Sequence, residues 1–176
     1  MSPLAPRFAR YRLLLGLAPA VFALDQITKL WIAEVMPPNT FGPPGHIEIV
    51  PDFFNLVRVG NTGAAWSILS GRSTWLAFLA LVALLAIFVF RRHLGLERRG
   101  VQLAFGLLCG GILGNLLDRI RLGYVSDFLD FHFGDYIYPT FNIADSGIVA
   151  GVILYILISI RPEPTRGTTG SAAQKS

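Results

Sequence analysis

Charge is what this chain has least of. Asp, Glu, Lys and Arg make up only 15% of its 176 residues, where an ordinary soluble domain carries about 25%. The shortage of charge beside so much apolar residue excludes a disordered chain. Cysteine is almost absent too. Cys109 stands alone, so neither an internal disulfide framework nor a multi-cysteine metal site can form. His46, His93 and His132 are the three histidines, far apart in sequence, and no HExxH occurs. A zinc peptidase is therefore disfavoured. No Gly-x-Ser-Gly lies within an apolar run, which argues against a serine intramembrane protease, and no internal repeat is visible. Nothing here asks for a metal or a cofactor.

What the chain has in excess is apolar residue. Hydrophobic side chains reach 53% and the mean hydropathy is +0.55. So short a chain cannot hide that much apolar surface from water, and the class that remains is an integral membrane protein. The formal charge of +4 does not point to nucleic acid, because the basic residues cluster beside apolar runs as membrane-flanking charges do. A bilayer core needs about 17–25 helical residues. Four runs qualify, at about 13–33, 74–90, 101–117 and 143–160. The first has a rival reading. Arg7, Arg10 and Arg12, an apolar stretch and small residues near Ala23 resemble a cleavable signal peptide, but the apolar character resumes after Asp25 through Leu30, Trp31 and Ile32.

Lys and Arg set the orientation. Ten fall before run one, between runs two and three, and after run four, against Arg58, Arg72, Arg119 and Arg121 on the other side. Both termini are expected in the cytoplasm, with 36–73 and 118–142 facing outward. His46–Val59 is β-branched and aromatic and broken by Pro51, which suggests two short strands lying on the membrane surface. Gly60–Gly63 reads as a turn, and Ala64–Leu69 as a short interfacial helix carrying Trp66. The expected architecture is thus mainly α, with four transmembrane helices, a small extracytoplasmic sheet and an interfacial helix. It forms a single domain over 1–162 with a flexible cytoplasmic tail over 163–176.

Polar residues gather at one depth. Asp25 lies about 18 Å along the first helix at 1.5 Å per residue, in the outer half, with Lys29 one turn beyond. Asn115 and Asp118 end the third run, Asn142 and Asp145 begin the fourth, and Asp127 and Asp130 lie in the loop between them. Ionisable groups in such places usually face protein or water. Each also has a structural reading. Asp25 and Lys29 form a self-neutralising i,i+4 pair. Asn142-x-x-Asp145 looks like a capping box, and on pattern alone capping precedes catalysis. Asp118 and Arg119 suit a local ion pair, and Asp127 and Asp130 suit solvated loop acids. His132, between Phe131 and Phe133, suits an interface anchor. Cys109, Gly106, Gly110, Gly111 and Gly114 suit close helix packing.

Five segments in one order carry a resemblance: DQITK (Asp25–Lys29), NTGAAWS (Asn61–Ser67), GNLLDR (Gly114–Arg119), VSDFLDF (Val125–Phe131) and FNIADS (Phe141–Ser146). Together they resemble the lipoprotein signal peptidases, also called signal peptidase II, over about Leu13–Ile160. Val59-Gly60, ahead of Asn61, departs mildly from that pattern. The resemblance implies an aspartic endopeptidase of the bacterial inner membrane that removes the signal peptide from diacylglyceryl-modified prolipoproteins, on the amino side of the lipidated cysteine. It implies Asp127 and Asp145 as the catalytic pair, selecting Asp127 over Asp130. Asn61, Asn115, Asp118, Arg119 and Asn142 fall at supporting or substrate-contacting positions, and Asp25 and Lys29 match a further motif of the family.

The chemistry is consistent with that assignment. Two close carboxylates share a proton, so one can act as base and the other as acid. Asp145, in a first helical turn, is expected to be the ionised partner. Asn115 and Asn142 can donate amide hydrogens to the carboxylates, and Arg119 can hold substrate carbonyls. The outward loop, with Phe53, Phe54 and Trp66, could clamp the lipidated peptide. The expected partners are the lipidated precursor and membrane lipid, without nucleic acid, for a monomer with its site near the outer leaflet. The competing readings are a small proton-coupled transporter and a non-enzymatic assembly factor, since intramembrane acids also build proton relays.

Overall fold

The computed structural model describes residues 9–64 and 68–160. Its elements run α1 (Arg12–Val35), β1 (Ile47–Val50), β2 (Phe54–Asn61), α2 (Ser73–Val89), α3 (Arg99–Leu122), β3 (Val125–Phe133), β4 (Tyr136–Ile137) and α4 (Ile143–Ser159). All four apolar runs are helices. At 24 residues each, α1 and α3 are long and apolar enough to cross a bilayer, whereas α2 and α4 are shorter apolar helices of 17. The expected tail, and Trp66 with half of the expected interfacial helix, fall outside the described residues. Ile68–Gly71 form a turn.

The third run is longer than its apolar core suggests. Asp118, Arg119 and Arg121 lie inside α3 rather than in the following loop. The helix stops at Gly123, whose φ of +79° is left-handed and whose N–H donates to Arg119 O at 3.2 Å. Arg119 and Arg121 sit in its last turn, where cations offset the negative end of the helix dipole. The first run is equally part of the body. It packs on α3, and buried Ala18 and Val21 lie within the stretch that the signal-peptide reading would remove.

Small residues let α1, α3 and α4 close on one another. A Cβ on Gly110 would stand 2.6 Å from Ala18 O and 2.7 Å from Val21 Cβ of α1. One on Gly151 of α4 would stand 2.6 Å from Ala104 O of α3. Such contacts admit only hydrogen at those positions. α2 leans chiefly on α3, and of its side chains only Ser73 is buried.

The segments between α1 and α2 and between α3 and α4 build one antiparallel sheet in the order β1-β2-β3-β4. β1 and β2 match the expected strands, turning at Pro51–Phe53. Two expectations are corrected. Gly60 and Asn61 are not turn residues but the end of β2, paired with Ser126 and Val125. Asp127 and Asp130 are not loop acids, because Val125–Phe133 is a central strand hydrogen-bonded to β2 on one side and β4 on the other. Ile32 of α1 and Met36 at its C-cap pack with Leu56 and Phe128 beneath the sheet, and Arg58 Nη1 caps the C-terminal end of α1 by donating to Ala33 O and Met36 O. A second apolar cluster, Leu96, Val101 and Phe105, closes the opposite end of the bundle. Between the two clusters lies a polar layer.

Candidate active site

The polar layer begins with Lys29. Its Nζ lies 2.9 Å from Asp25 Oδ2, 2.8 Å from Asp118 Oδ2 and 3.0 Å from Asn115 Oδ1. Asp25 and Lys29 do form the expected pair. They are not self-contained, however, because the cation joins α1 to α3 through two further acceptors. The expected Asp118–Arg119 pair gives way to this one. Asp118 also accepts from Ser126 N at 3.1 Å and from Gln26 Nε2 at 3.2 Å, so it ties α3 to β3. Asp25 Oδ1 accepts from Ala144 N at 2.9 Å, fastening the start of α4. Asp25 is 0% exposed and Lys29 5%. Charges so buried are tolerable only because each has its partners.

Above this layer sit two carboxylates. Asn142 caps α4 by accepting from Asp145 N at 2.9 Å, while its own N–H donates to Asp145 Oδ2 at 3.3 Å. The capping reading of Asp145 is therefore correct. The other end of the same amide reaches the second acid, Asn142 Nδ2 donating to Asp127 Oδ1 at 2.7 Å. Asn61 Nδ2 donates to Asp127 Oδ2 at 3.0 Å, and Asn115 Nδ2 donates to Asp145 Oδ1 at 2.7 Å. Each carboxylate thus receives at least two donors, with Asn142 shared between them. The juxtaposition comes from the backbone. Phe128 N and Leu129 N both donate to Phe141 O, at 3.0 and 2.8 Å, and Phe141 N returns a bond to Leu129 O. That bridge sets the lead-in of α4 against β3 one residue before Asn142.

Both acids open into one cleft of about 730 Å³. Gly60, Asn61 and Gly63 form one wall, Tyr138–Phe141 another, and Ile148, Val149 and Ile153 carry the cleft down α4. Val149 and Ile153 are 56% and 52% exposed, leaving an apolar track beside the acids. Arg119 Nη2 donates to Gly63 O at 3.1 Å, while its buried Nε meets no acceptor among the described residues. Asp127 is 2% exposed. Burial pushes its carboxyl up from 3.8 to about 7, and the charge of Asp145 adds to the rise. The amides of Asn61 and Asn142 and the charge of Lys29 oppose it.

All nine residues singled out in the sequence lie in this one region. Asn61, Asn115, Arg119, Asp127 and Asp145 line the cleft, with Asn142 directly between the acids and Asp25, Lys29 and Asp118 in the layer beneath. Asp130 points elsewhere and sits 2.6 Å from His132 Nε2, so His132 is an acid's partner rather than a bare interface anchor. Cys109 is buried in α3 as expected. Phe54 is stacked on Phe131 at 4.4 Å and is packing, not a free clamp. Gln26 was overlooked, although it is one more polar residue within DQITK. It donates to Asp25 Oδ2, Gly114 O and Asp118 Oδ1. Gln102 was overlooked too. It joins the N-terminal ends of α1 and α3 by donating to Arg10 O and Glu97 O and accepting from Leu13 N.

A family model described as signal peptidase (SPase) II matches residues 17–161. The lipoprotein signal peptidase of Aeromonas hydrophila subsp. hydrophila is 40% identical over 159 residues, covering 88% of this chain and 92% of that one. That of Oleidesulfovibrio alaskensis is 43% identical over 146 residues, covering 80% and 90%. A solved structure described as a bacterial membrane enzyme superposes with a TM-score of 0.74 at 37% identity, covering 83% of this chain and 86% of its own.

Proposed function

The chain belongs to the signal peptidase II family, and on that premise we propose that Asp127 and Asp145 are the carboxylates that hydrolyse its substrate. Membership makes it a bacterial membrane protease acting on prolipoproteins, and sets aside the transporter and the assembly factor. The observation that carries the proposal is Asn142, whose side-chain Nδ2 donates to the Asp127 carboxylate and whose main-chain N–H donates to that of Asp145, at the head of a single cleft.

The chemistry follows from the protonation of the pair. Below about pH 7 Asp127 keeps its proton. Asp145, in the first turn of α4 and under the amide of Asn115, is then the ionised partner. A water between them gives a proton to Asp145 while its oxygen attacks the scissile carbonyl. Asp127 gives its proton to the departing amine as the C–N bond breaks. Arg119, with Nε unused, is placed to hold a substrate carbonyl. No metal or cofactor enters these steps.

The apolar track of Ile148, Val149 and Ile153 suits an acyl chain or the signal helix of a diacylglyceryl-modified precursor, cut on the amino side of its lipidated cysteine. All four helices span the bacterial inner membrane in this reading. α2 and α4, at 17 residues, meet the lower end of the required length of about 17–25. Both termini are cytoplasmic, the sheet and the cleft lie at the outer leaflet, and the enzyme works as a monomer without nucleic acid. The test is turnover of a diacylglyceryl-modified precursor in detergent, with no ion gradient and with the unlipidated precursor as control. Wild type should cleave, and Asp127→Asn and Asp145→Asn should not. Full turnover by either variant would sink the assignment.

A further inference from the structure

Each of the three asparagines at the acids has its amide oxygen already engaged. Asn61 Oδ1 accepts from Gly63 N at 2.9 Å, and Asn142 Oδ1 from Asp145 N at 2.9 Å. Main-chain donors fix those two amides. Asn115 differs, because its Oδ1 accepts from the side chains of Lys29, at 3.0 Å, and Asn142, at 3.2 Å. If that amide turned over, its carbonyl would face the Asp145 carboxylate and its NH₂ would face an ammonium and another NH₂. An ammonium has three hydrogens and no acceptor. Lys29 places one on each of Asp25, Asp118 and Asn115.

We propose that Lys29 is a positioning residue for hydrolysis, orienting the Asn115 amide so that Asp145 always meets a donor. This makes the buried cation part of the chemistry although it does not line the cleft. It rests on Asp145 being a reacting carboxylate. The charges that bear on Asp145 are those of Lys29 and Asp25 of α1, Asp118 and Arg119 of α3, and Asp127 of β3. Any test must therefore hold the net charge of the layer constant.

Lys29→Met combined with Asp118→Asn does so, removing one positive and one negative charge. Asp118→Asn alone and Asn115→Ala are the comparators. The readout is the pH profile of kcat/KM on a diacylglyceryl-modified precursor in detergent. Without the orienting cation, kcat should fall about ten- to a hundredfold, the worth of one charge-assisted hydrogen bond. The acid limb should move up by about one pH unit, as it should in Asn115→Ala. Adding Asn115→Ala to the Lys29→Met pair should bring little further change, because the two act through one contact. An unmoved limb, or losses that simply add, overturns the proposal. So does failure of the Lys29 variants to yield monodisperse folded protein while Asp118→Asn folds, since Lys29 would then be a folding residue. Turnover by Asp145→Asn is the separate result that would remove the underlying reading of the pair.

Discussion

The raised carboxyl of Asp127 makes stability depend on pH in a way one substitution should abolish. In the folded chain this group titrates near 7, against 3.8 ordinarily. Between those values the folded state holds a proton that the unfolded state has released. Its contribution is therefore fully present below 3.8 and is lost as pH rises through 7. Going from pH 5 to pH 8 crosses about two pH units of that window, or about 2.7 kcal/mol. The side chain is 2% exposed, so solvent does little to screen the effect. Asp127→Asn has nothing to titrate. It turns an NH₂ toward the amide of Asn61 or Asn142, at a pH-independent cost of about 1–3 kcal/mol. Thermal unfolding in detergent at pH 5 and pH 8 should show the variant less stable than wild type at pH 5. The gap should close by 2–3 kcal/mol, or reverse, at pH 8. Parallel profiles would refute the claim that burial and Asp145 hold Asp127 protonated.

Other substitutions probe the frame. Gly110→Ala places a methyl 2.6 Å from the Ala18 carbonyl, where backbone cannot yield, and should cost about 1–3 kcal/mol in thermal unfolding. Gln102→Leu keeps the volume but strands Leu13 N, Arg10 O and Glu97 O. It should lower stability by about 1–3 kcal/mol and leave KM unchanged. Arg119→Lys keeps the charge but loses the planar fork, and should raise KM about tenfold in precursor-cleavage kinetics.

The helices were legible because apolar runs of this length have few other uses. The site residues were legible because polar side chains in such runs demand a reason. The acids of VSDFLDFHF, taken alone, suit a loop. Read for alternation, it sets Asp130 and His132 on one side and Phe131 and Phe133 on the other, the period of a strand. The pairing of Asp127 with Asn142 was not legible from periodicity at all. It depends on the bridge from Leu129 to Phe141, while the register that sets Val59 opposite Asp127 brings Asn61 to the same acid from 66 positions away. Lys29 is legible only in part. Its i,i+4 spacing to Asp25 accounts for one of its three hydrogens, and the other two go to residues 86 or more positions away. The mild oddity of Val59-Gly60 has a local cause, since a Cβ on Gly60 would press to 3.1 Å from the ring of Tyr124.

Asn142 starts a helix with one end of its amide and grips the opposite acid with the other. A helix bundle whose β3 was not seated against the start of α4 would therefore hold Asp145 in its cap and leave Asp127 unjoined to it.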